Sequence, residues 1–391
     1  MSNQTFLDRA AKFGQSVDAL QAGHVITSEL TVNSLDDLKS LLDDGASADE
    51  QSNRASLYMA NAKASDADPE QALLSRVNAH VFGNAPLSAE DAGMLQQAFP
   101  MKVAAVSAAN ITYPAGETKL GVSQLIVTYN YGTVTMADQS YLTCYNSTLN
   151  YTMDTLIRNG KPPAGVGDIN ILGITGGVGA TGGTGATGGN GSNGSGGNCS
   201  SAGIAGAPGG NGNAGDTGKS GGAGNTGGNG LPSMPATIKV TTSIQAPQAG
   251  AIIIYSRSGA GGAGGVGGQG GTGGVGGNGG DGATCGCTGS ACGNGANGGA
   301  GGTGGTGGQG GNGVDGNGTI NVIVPKKFAT LIQKVYGNAN PGTGGTGGTG
   351  GAGGTKGYRG SNGKHNSGGS NGNDGGKGNA GNSGASGTYT G

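Results

Sequence analysis

The sequence predicts a multi-domain protein. An N-terminal α-helical region and a small β-rich domain precede a bundle of about six polyglycine II helices, similar to polyproline II, in up-and-down order with β-rich connectors at the base. Three observations carry this expectation. Glycine supplies 94 of the 391 residues, and from residue 176 it recurs at every third position: over 176–197, over 203–230, over 262–316 with breaks at Ala283 and Cys292, and over 342–387 with a break at Asn366. Two kinds of connector alternate between the periodic runs. The composition also changes character near residue 100 and again near residue 175, giving expected domains of 1–100 (helical attachment region), 101–175 (β-rich) and 176–391 (glycine-rich).

A period of three fits neither the 3.6 of an α-helix nor the 2.0 of a strand. It fits the left-handed three-residue helix that rises about 3.1 Å per residue. Collagen is excluded because it needs proline at roughly 15–20% or more, and Pro208 is the only proline inside the runs. Over 261–281 the unit becomes Gly-Gly-X, with Ala263, Val266, Gln269, Thr272, Val275, Asn278 and Asp281 at X. Two faces of such a rod admit close neighbours and one faces outward. An isolated rod has no internal hydrogen bonds, and ordering glycine is entropically costly, so it is either disordered or packed against its own kind. Frame-keeping over long runs argues against disorder.

The N-terminal region reads as helical. Phe6, Leu7, Ala10, Ala11, Val17 and Leu20 form an amphipathic stripe. Ser34 caps a helix bearing Leu35, Leu38, Leu41 and Leu42 that stops at Asp44-Gly45. Further helices are expected over 69–82 and, behind Ser88, over 89–99. A docking module and a small helical domain without a partner are both open readings.

Residues 101–175 read as strands, with Ile126, Val127, Tyr129, Tyr131, Val134 and Thr135 in a β-branched and aromatic run and a tight turn at Asn130-Tyr131-Gly132. Tyr129, Tyr131, Tyr141, Tyr145 and Tyr151 serve either as cross-strand packing or as a sugar-stacking platform.

The periodic runs are 176–197, 203–230, 259–282, 293–318, 342–363 and 368–388. Short polar turns, 198–202, 283–292 and 364–367, follow the odd runs. Long apolar connectors, 231–258 and 319–341, follow the even ones. Up-and-down order puts the short turns at one end and the connectors at the other. Three internal repeats follow, each an apolar strand feeding a two-rod hairpin.

Composition excludes several functions. A net charge of −2 gives no electrostatic case for nucleic acid or an anionic membrane surface. No apolar run approaches a membrane span, and residues 1–20 lack the apolar core of a secretory signal.

Cys285, Cys287 and Cys292 look like part of a zinc site, yet His24, His80 and His365 lie far off in sequence; no metal and no cofactor are expected. Cys199 and that trio fall at the same end of the bundle, so Cys199, Cys285, Cys287 and Cys292 are candidates for one or two disulfides of open connectivity.

Gly-x-Gly-x-x-Gly is uninformative in so glycine-rich a chain. Gly218-Lys219-Ser220 lacks the required glycine at Asn213 for a phosphate loop. Tyr358-Arg359 with Lys356, Lys364 and His365 reads as a solvated basic patch rather than an RNA or acidic-glycan site. With no nucleophile triad, carboxylate pair or metal spacing, the chain is read as not an enzyme.

The glycine-rich runs and intervening turns, over about residues 169–388, resemble the tip adhesins of the long tail fibres of T-even-type bacteriophages. The resemblance is architectural rather than residue by residue. It implies a polyglycine II sandwich whose distal loops bind a host outer-membrane protein or lipopolysaccharide, with residues 1–175 docked on the fibre shaft or another virion protein and the protein carried on the virion. The expected receptor-binding residues are then Asn198, Ser200, Ser201, Thr284, Thr288, Ser290, Lys364, His365 and Asn366, in turns that carry no aromatic residue. The alternatives are a structural subunit of an extracellular or virion filament and an ice-binding protein using the ladder of Thr343, Thr346, Thr349 and Thr355.

Overall fold

The computed structural model describes residues 5–43, 45–64, 69–121, 126–145, 147–200, 206–246, 250–285, 288–315, 320–361, 369–370, 372, 375–376, 378 and 381–382. Its frame is a stack of chain coils. Each coil lays one strand in a six-stranded sheet and the next in a five-stranded sheet. The pairs are β2 (Met101–Tyr113) with β3 (Gly116–Leu120), β4 (Ile126–Met136) with β5 (Ser140–Tyr145), β6 (Leu149–Arg158) with β7 (Ile169–Leu172), β8 (Ala236–Gln245) with β9 (Ile252–Arg257), and β12 (Ile320–Ile323) with β13 (Ile332–Gly337). The first sheet runs β1-β2-β4-β6-β8-β12 and the second β13-β9-β7-β5-β3. Within these two sheets every described pairing between coils is parallel, and β1 (Ile26–Val32) joins β2 antiparallel. This is a two-sheet solenoid, in which each coil contacts mainly its neighbours.

The fold class expected from the sequence is therefore corrected. The chain is not a bundle of polyglycine II helices carrying a small β domain; it is a mixed α/β protein built on two mostly parallel sheets of six and five strands. Residues 101–175 and the two apolar connectors are consecutive coils of one solenoid rather than a domain and a separate base. The physical reason lies in the parallel pairing. Strands such as Ile126–Met136 and Leu149–Arg158 are covered on both faces, and such strands lack the alternation that announces a hairpin. The expected turn at Asn130-Tyr131-Gly132 does not form, because β4 runs straight through it.

The N-terminal region is not purely helical either: β1 interrupts it and edges the larger sheet. The stripe from Phe6 to Leu20 is broken into α1 (Phe6–Lys12) and α2 (Val17–Gln21) at Gly14, which sits at φ 64°. The other helices, α3 (Leu35–Leu42), α4 (Ala48–Ala64), α5 (Pro69–Gly83) and α6 (Ala89–Gln96), lie over the outer face of the six-stranded sheet. Ser34 and Ser88 cap α3 and α6 as their sequence signals require.

One core lies between the sheets, with Tyr129, Tyr131, Tyr151, Leu142, Ile169, Ile238 and Ile254 all buried. The tyrosine rings pack in tilted and edge-to-face pairs with centroids 5.4–6.0 Å apart, and Tyr151 Oη donates to Tyr113 Oη at 2.9 Å. Burial raises the phenol pKa of Tyr129, Tyr131 and Tyr151. These three are core, whereas Tyr145 is exposed. At the turns between the sheets, buried Arg158 donates to Asp168 Oδ1 at 2.5 Å and to the carbonyls of Ala137, Ser140 and Asn159. Asp168 in turn accepts from the Ile253 N–H at 2.7 Å. This buried pair ties three successive coils.

Candidate recognition surface

The glycine-rich excursions leave the solenoid at one place in the coil: after β7, after β9 and after β13. Each goes out and back, giving segments I (176–197) and II (206–230), III (259–282) and IV (291–315), and V (342–361) and VI (369–382, described in part). Apart from the two-residue strands at the III–IV turn, the described residues here belong to no helix or strand. Their backbone groups pair between segments at every third residue. Segment I donates to III from Gly176 N→Ala260 O (2.9 Å) to Gly197 N→Asp281 O (2.7 Å), and III donates to V from Gly264 N→Thr343 O to Gly279 N→Tyr358 O. Segment II donates to IV, and IV to VI, in the same sense. Antiparallel bonds such as Asn213 N→Ser192 O, Gly271 N→Lys219 O and Gly302 N→Gly271 O cross between the two rows. The result is two layers, I-III-V and II-IV-VI. Burial of backbone polar groups is tolerated because they are paired.

Glycine is required here by close approach. A Cβ on Gly271 would meet the carbonyl of Ala186 and lie 2.8 Å from Gly185 O. The X side chains point outward, and asparagine among them has a specific use. Asn190 and Asn193 accept from the N–H groups of Val275 and Asn278, Asn278 accepts from Tyr358, and Asn211 and Asn229 accept from Asn294 and Asn312. Each satisfies an X-position donor that the glycine pairing leaves out. The offsets match the solenoid: Asn190 reaches Val275 across 85 residues, as Ile169 pairs with Ile254. Asn278 reaches Tyr358 across 80, as Ile254 pairs with Lys334. The layers continue the register of the coils.

The outer ends of the segments bring the first two short turns together. Cys199 and Cys285 form a disulfide with Cα atoms 5.6 Å apart, linking the I–II turn to the III–IV turn. The latter contains the strand pair β10 (Thr284–Cys285) and β11 (Thr288–Gly289). Asn198, Ser200 and Thr284 are exposed. Ser290 differs from its expected role: it is buried, and its hydroxyl accepts from Ala283 N at 2.7 Å and lies 3.0 Å from the Ala207 carbonyl, so it braces the turn from inside. Cys292 is buried. Ser201, Cys287, Lys364, His365 and Asn366 lie outside the described residues, as does the side chain of Thr288. Among the described residues no group of three His, Cys, Asp or Glu could hold a metal, and no helix is long and apolar enough to cross a membrane.

Sequence reasoning placed Tyr358 in a solvated basic patch and not among the receptor-binding residues. It is 68% exposed, stands on segment V beside Asn278, and lies one hydrogen-bonded step from the end, where Gly282 N meets Ser361 O. An aromatic ring among short polar side chains is an unusual surface feature, and Arg359 beside it is also exposed. Its X position in the frame was the available signal, since that position faces out. Cys144 carries no comparable chemistry. It is buried, donates to Ser147 O at 3.3 Å, and burial pushes its thiol pKa up to about 11, which leaves little thiolate at neutral pH.

Compared with known protein families, curated proteins and solved structures, the chain gives no match.

Proposed function

We propose that the protein is a receptor-binding tip: the solenoid is its body, the glycine layers are a rigid arm, and the outer turns with Tyr358 are the contact surface. The observation that carries this reading is the cross-link of two distal turns by Cys199–Cys285, with Tyr358 exposed one hydrogen-bonded step short of the pair Gly282–Ser361 at the segment ends. Hydrogen-bonded backbone layers cannot reshape to fit a partner, so specificity has to reside where side chains are free of the lattice, and rigid scaffolds present binding residues on such loops. A tyrosine gives large contact area at low entropy cost, and tying down the distal turns reduces the ordering lost on binding.

The fitting partner is a bacterial outer-membrane protein or lipopolysaccharide, and the fitting setting is the tip of a phage tail fibre, with residues 1–175 toward the shaft. A disulfide suits an oxidising, extracellular site. Several copies on one particle would raise weak single contacts through avidity. No catalytic role is proposed.

The test is adsorption of the purified protein to susceptible cells. Replacing the three short turns by Gly-Asn-Gly linkers, and separately Tyr358→Ala, should each lower adsorption by tenfold or more while the melting temperature of the body stays put. Full adsorption by both variants would overturn the tip assignment.

A further inference from the structure

We infer that the helical layer holds a binding site for a small uncharged molecule with an apolar body and a hydrogen-bond acceptor at one end, of the kind an acyl ester presents. A cavity of about 240 Å³ lies between α3, α5, α6 and the start of β6. Its walls are mostly hydrocarbon: Leu38 and Leu42 from α3, Leu74, Val77 and Phe82 from α5, and Met101 at the start of β2. An engineered apolar cavity of about 150 Å³ already takes benzene, so this one has room for a chain of several methylenes.

Three polar side chains, Asn78, Thr148 and Asn150, break the apolar wall. Asn78 and Asn150 are 5% and 7% exposed, and the Nδ2 amide of each is buried with no hydrogen-bond partner. Orphaned buried donors are rare in folded proteins, and each costs roughly 1–3 kcal/mol if left unmatched. Two such donors, on residues that line one cavity, match a ligand that brings acceptor oxygens and draws the amides round to meet them. The oxygens belong to a neutral group, because among the described residues no charged side chain lines the cavity and an unpaired carboxylate would be strongly disfavoured there.

An entry route is present. Leu35, Leu95 and Phe99 line the cavity and also an open groove bordered by Asn33, Asp36 and Gln96. All three are half-buried. The helix beside the mouth, α6, is pinned to α5 by a two-pronged bond from Arg76 to Asp91 at 2.7 and 2.8 Å. The site lies on the solenoid body, far along the chain from the distal turns, and does not depend on the receptor-binding reading.

The experiment uses the full chain and three probes of similar size: methyl octanoate, octanoate at pH 8, and nonane. Binding is read by ligand-observed NMR and by the shift in melting temperature. Methyl octanoate should bind at least tenfold more tightly than either of the others. Asn78→Leu with Asn150→Leu should bring the ester down to the level of the alkane while alkane binding is kept, and Leu74→Trp should exclude all three. Should the double variant fail to fold, Asn78→Ala alone should reduce the ester preference severalfold. Absence of binding to the folded wild type, equal binding of ester and alkane, or an ester preference that survives loss of the amides would each overturn the inference.

Discussion

At the scale of single residues, the glycine lattice makes a sharp distinction between neighbours. Gly271 faces the Ala186 carbonyl, and backbone on both sides leaves no side chain that could swing away. Gln269, two residues earlier, points to solvent. Gly271→Val should therefore cost at least about 3 kcal/mol or prevent folding of the glycine layers, because overpacking against fixed backbone has no cheap relaxation. Gln269→Val should stay within about 0.5 kcal/mol. A thermal or urea melt of the two variants checks this, and equal tolerance would contradict the lattice.

A second residue-scale expectation concerns Asp91. Its hydrogen bonds from Arg76 hold its carboxyl below the usual range. The folded pKa is depressed, so the stabilisation is present above the unfolded carboxylate value of about 3.9 and is lost as pH falls through the lower folded value. Wild type should exceed Asp91→Asn in urea midpoint at pH 7, and the gap should narrow below about pH 4. A gap independent of pH would show that the charge of Asp91 is not what matters.

At the scale of elements, the third segment exchanges hydrogen bonds with I, II, IV and V, as the fourth does with II, III, V and VI. Amide exchange should follow the period of three. The N–H groups of Gly267, Gly268, Gly270 and Gly271 are paired to carbonyls and should be the slowest. Those of Val275 and Asn278, held by the side chains of Asn190 and Asn193, should be intermediate. Asn190→Ala should speed exchange at Val275 by tenfold or more and leave Gly271 unchanged, which amide-resolved hydrogen exchange would report.

The same elements show what could be read in the sequence. The spacing of glycine announced which positions admit close neighbours, and Ser34 and Ser88 announced their helix starts. The solenoid was hidden for a physical reason. Four of its pairings, β6–β8, β7–β9, β8–β12 and β9–β13, span offsets of about 80–88 residues with an entire glycine excursion between partners, so no local pattern marks them as neighbours; the earlier pairings span only about 22–27 residues. Strands buried on both faces, such as β6 with Leu149, Asn150 and Tyr151 all buried, also show no alternation. The acyl-sized cavity was equally illegible, because Asn78 and Asn150 come from a helix and a strand and mean nothing until the fold brings them to one cavity. Tyr358 was legible from its outward frame position, yet it only acquires interest once the structure puts it exposed near the outer end of segment V.

At the scale of the whole molecule, the three excursions stack because the coils beneath them stack, and the Cys199–Cys285 bond is a second tie placed at the opposite end of the same stack. It closes a separation of 86 residues, so its loss should lower global stability by roughly 2–4 kcal/mol in the chain-entropy account. Its more telling effect should be local. The inner parts of the segments are held by backbone bonds whether or not the tie is present, whereas the ends at Asn198 and Thr284 are held together by the disulfide. Cys199→Ser should therefore leave amide protection in the middle of segment III unchanged at 25 °C and raise exchange at Ala207 and Ser290, whose N–H groups bond within the turns. Under the receptor-binding reading the same variant should also lose adsorption to susceptible cells by about tenfold, through the extra ordering that binding then requires. Loosened turns with undiminished adsorption would separate the architecture, which would stand, from the assignment of the distal end as the contact surface, which would not.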